Sequence, residues 1–303
     1  MATQVHAIQT GSVRVKTAQL RGRGRGMARQ LAIFTDPQWS EWLPTYAFVI
    51  GHEEGIFVVD AGQGLHLLRH RQSIHPYLRW EVDFRLDPEE EIGPRLRNMG
   101  IAPRAVRQVL LTHLHVDHDG GLNQLAGVQT LATSHEIKAA GGWSGQLRGY
   151  LPHRWPGSFE PRPIPFESER FGPFTSSYRV TRAGDVVLVP TPGHTPGHAS
   201  VLVEMGDADK TLVMLAGDAS YTEQLMIDGL ADGVSPVESV TIATLRKIRD
   251  LAVSRRLVYL PTHDPKSAER LGKLQPVFTE PHGGGSKKAE SPDTVGRISA
   301  QSH

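Results

Sequence analysis

The 303-residue chain has no cysteine. That excludes disulfides, thiol nucleophiles and thiolate-bound metal, and leaves nitrogen and oxygen as the donors for any metal site. It also lacks an apolar stretch long enough to span a bilayer. Met1 to Leu20 shows no basic start followed by an apolar run, so no secretory leader is expected and the chain reads as cytoplasmic. Neither sign of charge is in excess. The 33 Lys and Arg against 32 Asp and Glu leave a net charge of +1, which argues against a face built for nucleic acid or membrane. The hydrophobic share, 39%, is ordinary for a globular protein and sufficient for a large core without crosslinks.

Val5 to Val15 alternates weakly and reads as a strand pair turned at Gly11-Ser12. Arg21 to Gly26 repeats arginine and glycine three times. Such tracts contact RNA, but three repeats with no flanking basic run favour a flexible loop over a pocket mouth or a subunit contact. Tyr46–Ile50 and Ile56–Asp60 read as buried strands joined by a turn, and Asp60-Ala61-Gly62 as a tight exit. A helix is expected over Glu90–Met99, ended by Gly100. Strands are expected at Val106–Thr112, Gln124–Thr133, Val186–Pro190, Ala199–Glu204, Thr211–Ala216 and Leu257–Leu260. A short helix is expected over Ser134–Ala140. The best helix is Pro236–Ser254, with Val240, Leu245, Ile248 and Leu251 assigned to one face. A last one is expected from Ala268 to Leu271.

Between Gly141 and Thr175 the pattern breaks into Pro and Gly interleaved with Trp143, Tyr150, Trp155, Phe159, Phe166, Phe171 and Phe174. So many aromatics argue against disorder. Two readings stay open: a packed surface excursion, or a cap giving apolar walls to a substrate. The expected organisation is residues 1–30 joined to the core, a main domain over 31–275 carrying the 141–175 insertion, and a flexible tail over 276–303. Strands, histidines and helices recur in two similar halves, which predicts an α/β sandwich of two mixed sheets between helices.

The strongest motif is His113-Leu114-His115-Val116-Asp117-His118-Asp119-Gly120-Gly121, directly after an apolar strand. Imidazole and carboxylate are the donors that zinc and similar divalent ions accept. Three histidines and an aspartate crowded into six positions are costly without a cation to satisfy them. Three single residues stand at other strand ends: His194 in Thr-Pro-Gly-His, Asp218 in Ala-Gly-Asp, and His263 in Leu-Pro-Thr-His. Strand carboxyl ends are where ligands gather in α/β architectures.

Over about residues 30 to 270 this arrangement resembles the metallo-β-lactamase superfamily, whose hallmark is His-x-His-x-Asp-His followed by His, Asp and His at strand ends. The resemblance implies the αβ/βα sandwich and two divalent metal ions, zinc first, with cobalt, manganese or iron as alternatives. It assigns His113, His115 and His194 to one metal and Asp117, His118 and His263 to the other, with Asp218 bridging. A water between two such metals is acidified into the nucleophile. His198, four residues beyond His194, reads as a core or supporting residue.

Within the superfamily the chain resembles the N-acyl-homoserine lactonases. The likeness rests on Gly217-Asp218-Ala219-Ser220-Tyr221-Thr222, His113-Leu114-His115 and a long helix leading to Thr262-His263-Asp264. It implies that Tyr221 stabilises the developing oxyanion of a lactone carbonyl, against the alternative of a tyrosine buried with its hydroxyl satisfied elsewhere. It also implies that Asp117 relays a proton to the departing ring oxygen. The arginine-glycine loop and the aromatic insertion depart from a minimal lactonase. Other hydrolases of the fold, acting on other lactones, aryl esters, organophosphates or thioesters, share the same donors. A metal-stabilised binding protein is the non-enzyme alternative. The expected partner is a small ester or lactone, with a homodimer left open.

Overall fold

The computed structural model describes residues 3–69, 75–141, 145–157 and 159–278. Trp143 of the aromatic insertion, and the expected tail from residue 279 on, lie outside the described residues.

Long runs of β-branched and aromatic residues pair early in the chain into a seven-stranded mixed sheet. Its strands are Gln4–Val15 (β1), Leu43–His52 (β2), Gly55–Val59 (β3), Val82–Arg85 (β4), Val106–Leu110 (β5), Gln129–Ala132 (β6) and Arg162–Pro163 (β7), in the order β4-β1-β2-β3-β5-β6-β7. A five-stranded sheet follows from Tyr178–Arg179 (β8), Val186–Pro190 (β9), Ala199–Glu204 (β10), Leu212–Gly217 (β11) and Leu257–Pro261 (β12), in the order β12-β11-β10-β9-β8. Helices are Thr17–Leu20 (α1), Met27–Thr35 (α2), Leu65–Arg69 (α3), Pro76–Glu81 (α4), Ile92–Asn98 (α5), Val116–Asp119 (α6), Ser134–Ala140 (α7), Glu223–Asp228 (α8), Glu238–Ser254 (α9) and Ser267–Lys273 (α10).

The sheets face each other through Phe48, Ile50, Phe57 and Val59 on one side and Leu188, Val201, Val213 and Val258 on the other. Their outer faces are covered by helices. Ala47, Val49 and Val58 pack with Ile92 and Leu96 of α5, and Leu202, Met214 and Tyr259 pack with Leu245, Ile248 and Leu251 of α9. The expected αβ/βα sandwich is therefore the observed one. Sheets covered on both faces need nearly continuous apolar strands, and the first eight residues of β2 are all buried. Each fully buried Leu or Ile of α9 contributes about 1.5–3 kcal/mol. Val240, assigned to the same face, is instead 38% exposed. It stands five residues before Leu245, roughly 140° around a helix of 3.6 residues per turn.

Several expectations are corrected. Residues 5–15 are not a strand pair. They form one strand, because Gly11 takes φ +88° and makes a bulge that lets β1 continue. The continued strand pairs with β2 on one edge and β4 on the other. Gln124–Thr133 is a strand only from Gln129; Gly120–Leu125 is a 3₁₀ helix. Between 61 and 89, where no element was expected, the chain forms α3, α4 and β4.

Candidate metal centre

Every histidine and carboxylate of the candidate set lies just beyond a strand end on one rim of the sandwich. After β5, residues 111–115 lead into α6, which brings His113, His115, Asp117 and His118 together. His194 follows β9, Asp218 follows β11 and His263 follows β12. Gly217 allows the turn into Asp218. It takes φ +57°, and a Cβ there would come within 2.6 Å of the His198 ring.

Two groups of donor atoms result. His113 Nε2 and His194 Nε2 lie 3.1 and 3.0 Å from His115 Nδ1. His263 Nε2 lies 3.3 Å from both Asp117 Oδ2 and Asp218 Oδ2. Asp218 reaches both groups, with Oδ2 3.4 Å from His194 Nε2 and Oδ1 3.3 Å from His118 Nε2. Within each of three triads, His113/His115/His194, His113/His118/Asp218 and Asp117/His118/His263, all ligand atoms lie within 4.8 Å of one another.

The imidazoles are held from behind by groups that sequence reasoning did not identify. Asp60 Oδ2 is 2.8 Å from His118 Nδ1, Asp232 Oδ2 is 3.1 Å from His194 Nδ1, and the Pro44 carbonyl is 2.9 Å from His263 Nδ1. A carboxylate or carbonyl only accepts, so each of these rings donates from Nδ1 and leaves Nε2 as the nitrogen that faces the centre. His113 Nδ1 contacts the Thr112 hydroxyl at 3.0 Å, and that hydroxyl donates to Asp60. The signal for Asp60 was an aspartate closing an apolar strand; it takes φ +61°, rare for a residue other than glycine. His198 points elsewhere. Its Nδ1 meets the Thr191 hydroxyl and its Nε2 accepts from the Asp218 backbone N–H at 3.0 Å.

The electrostatics suit a divalent cation. Burial pushes His115 down to about 3 and His113 well below its ordinary value. Against burial, Asp218 and its neighbours raise His118 well above the usual imidazole range and His263 to about 10. The carboxylates thus draw protons where no metal neutralises them, and metal binding would displace those protons. Two donors facing the centre, His118 Nε2 and Asp218 Oδ1, are buried without a hydrogen-bond partner. The two lie 3.3 Å apart without a hydrogen bond of ordinary geometry, and buried groups left so in a native interior call for a ligand between them.

Above the donors lies a cleft of about 240 Å³. His115, Asp117, His194, Asp218, His263 and Tyr221 form its floor, and Val13, Val15, Ile33, Leu78, Val82 and Phe84 line its walls. Tyr221 is buried, with its ring stacked on His263 at 5.6 Å. The two readings of the aromatic insertion divide along its length. Leu147 to Tyr150 line the cleft, whereas Phe166, Phe171 and Phe174 pack into the core. Trp155 donates to Asp119 Oδ2 at 2.6 Å. The arginine-glycine tract links α1 to α2, whose Gln30 and Ile33 also line the cleft. Arg29 anchors it, buried, donating to the carbonyls of Ala231 and Asp232 and pairing with Glu238 at 2.9 Å.

One wall residue is an acid. Burial pushes the Glu81 carboxyl up to about 7, partly offset by the Tyr77 hydroxyl bonded to it. With its folded value above its ordinary one, Glu81 favours the folded state fully at low pH, and that contribution is lost as pH rises through 7. Glu81→Gln removes this loss. Thermal melts should show the variant gaining on the parent from pH 5 to pH 8, by up to about 3 kcal/mol. A constant difference across that window would mean the carboxyl is not held in its protonated form.

Comparison with known proteins agrees with this geometry. A family model described as the metallo-beta-lactamase superfamily matches residues 40–263. An N-acyl homoserine lactonase of Bacillus cereus is 23% identical over 231 residues, covering 73% of this chain and 82% of its own. The N-acyl homoserine lactonase AttM of Rhizobium radiobacter is 22% identical over 273 residues, covering 86% and 93%. Among solved structures, an N-acyl homoserine lactone hydrolase with N-hexanoyl-L-homoserine at its catalytic metal center is similar with a TM-score of 0.71. It is 19% identical, over 89% of this chain and 96% of that one. Matched over most of its length by the family model and sharing its two-sheet sandwich, the chain belongs to the metallo-beta-lactamase superfamily.

Proposed function

We propose that the protein is a dinuclear metal-dependent hydrolase that opens the lactone ring of N-acyl homoserine lactones. The observation that carries this reading is a cluster of seven nitrogen and oxygen ligand residues, five of which form the floor of an apolar cleft. His113, His115 and His194 would hold one ion and Asp117, His118 and His263 the other, with Asp218 shared. An all-nitrogen-and-oxygen set of this kind suits zinc. Bound there, the ions would supply Lewis-acid polarisation of the ester carbonyl and a water acidified to a nucleophile at neutral pH.

The chain's own residues do the rest. The apolar walls take the acyl chain and keep bulk water from the reacting ester. Tyr221, above His263, donates its hydroxyl to the carbonyl oxygen as negative charge develops there. Burial and the neighbouring carboxylates hold that phenol well above its ordinary value, so it stays protonated and able to donate. The water oxygen bonds to the carbonyl carbon as the Asp117 carboxylate takes a proton from it, the ring C–O bond breaks, and Asp117 passes that proton to the departing ring oxygen. The product is an N-acyl homoserine, whose new carboxyl group ionises and releases one proton per turnover.

That proton is the assay. Purified protein should acidify a weakly buffered solution of N-acyl homoserine lactones. Chelator should reduce the rate more than about 100-fold, and added zinc should restore it, as expected when the metal supplies the nucleophile. Two bound metals with no lactone opened would overturn the substrate assignment and move attention to aryl esters, thioesters and phosphotriesters.

A further inference from the structure

The proposed reaction leaves one carboxyl group of the cleft lining unused. Glu81 closes α4, lines the same cleft as Asp117, Tyr221 and His263, and is 7% exposed. Val13, Val15, Ile33, Leu78 and Phe84 line the cleft with it, as do the polar Gln19, Gln30 and Tyr77. No ion pair among the described residues includes it. The neighbouring Lys16 donates its backbone N–H to the Glu81 carbonyl at 3.2 Å. The Lys16 ammonium is engaged elsewhere, 4.0 Å from the centre of the Trp39 ring and 4.8 Å from that of Trp80. The Tyr77 hydroxyl stands close enough to the carboxyl to act on it.

Once ionised, a carboxyl group offers about four acceptor positions. One tyrosine hydroxyl leaves most of them open, in a wall where an unmet polar group is costly. A site that retains such a group has use for an acceptor there. The position is close to the reacting end of the cleft. Glu81 is near enough to Tyr221 for its charge to act on that phenol, and the next residue, Val82, packs against the apolar cluster that contains Tyr221. An N-acyl homoserine lactone has one N–H donor, the amide that joins the ring to the acyl chain. With the ring ester over the metal centre and the chain along the apolar walls, the amide falls between them. Gln19, another polar lining residue, already accepts the Lys16 backbone N–H at 3.2 Å.

We propose that Glu81 accepts a hydrogen bond from the substrate's amide N–H and so selects lactones that bear an amide beside the ring. The assignment rests on the lactonase reading above and adds the group that recognises the amide.

The test compares an N-acyl homoserine lactone with its depsi analogue, in which oxygen replaces the amide N–H and the shape is kept. Ring opening is followed by chromatography for the parent protein, Glu81→Gln and Glu81→Leu. Assayed at pH 8, above the Glu81 value of about 7, the parent should favour the amide in kcat/KM by about 10- to 100-fold, the scale of a hydrogen bond to a carboxylate. Glu81→Leu should lose that preference by losing rate on the amide substrate alone. Glu81→Gln, whose carbonyl still accepts, should keep most of it. A merely structural role would lower both substrates together. If Glu81→Leu does not fold, Glu81→Met takes its place. Equal rates of the parent on both substrates, or an unchanged preference in the leucine variant, would overturn the Glu81 assignment and leave the lactonase reading standing. A parent protein that opens neither lactone overturns both.

Discussion

Asp218→Ala should lower the rate of ring opening by more than about 100-fold and reduce bound metal below two ions per chain. Asp218 is the carboxylate whose two oxygens reach both donor groups, at 3.3 Å from His118 and His263 and 3.4 Å from His194. Removing a group that merely supports a ligand costs about 10- to 100-fold in affinity or activity, so a residue proposed as the shared ligand should exceed that range. The fold should survive the change. The Asp218 backbone N–H stays bonded to His198, and alanine adds no bulk to a packed site. Metal content by mass spectrometry and proton release on the same preparation decide the matter. Two metals retained with activity within tenfold of the parent would remove Asp218 from the shared position.

Asp60→Asn should lower metal affinity and rate about 10- to 100-fold while changing stability little. Asp60 accepts from the Thr112 N–H at 2.8 Å, from the Thr112 hydroxyl, and from His118 Nδ1 at 2.8 Å. Asparagine keeps the shape, tolerates the left-handed backbone of this position, and can still accept from the Thr112 N–H. Its amide would instead donate to His118 Nδ1, which places the imidazole proton on Nε2, against the centre. Asp60→Ala should do worse. It leaves the buried Thr112 N–H unsatisfied, at about 1–3 kcal/mol, in a backbone conformation that alanine disfavours. Titration of metal into stripped protein, beside thermal melts, separates the two effects. An asparagine variant that binds metal as tightly as the parent would show that Asp60 does not set the His118 tautomer.

The two experiments mark a division in what could be read from the chain. His113 through His118 were legible because they are contiguous and follow an apolar strand. Three imidazoles and a carboxylate within six residues have few explanations other than a cation. His194, Asp218 and His263 were legible only as a set, each at a strand end and each ordinary alone. Asp60 and Asp232 were not legible. They act across 58 and 38 residues of chain, and nothing local distinguishes an aspartate that orients a histidine from one that ends a strand. Likewise α4 and β4 carry no period long enough to detect. Six and four residues hold them, and β4 exists because β1, continued through its bulge at Gly11, offers it an open edge.

The sequence by itself determined the sandwich, the strand ends on which the donors sit, and the chemical type of the site. Those follow from local hydrophobic pattern and from the cost of crowding ionisable groups without a counter-charge. Tertiary structure alone decided which imidazole nitrogen faces the centre, which acids hold the rings in place, and that Glu81 stands in the wall of the cleft. Each of these depends on a partner remote in the chain, whose position is fixed by how the two sheets and their edge strands pack.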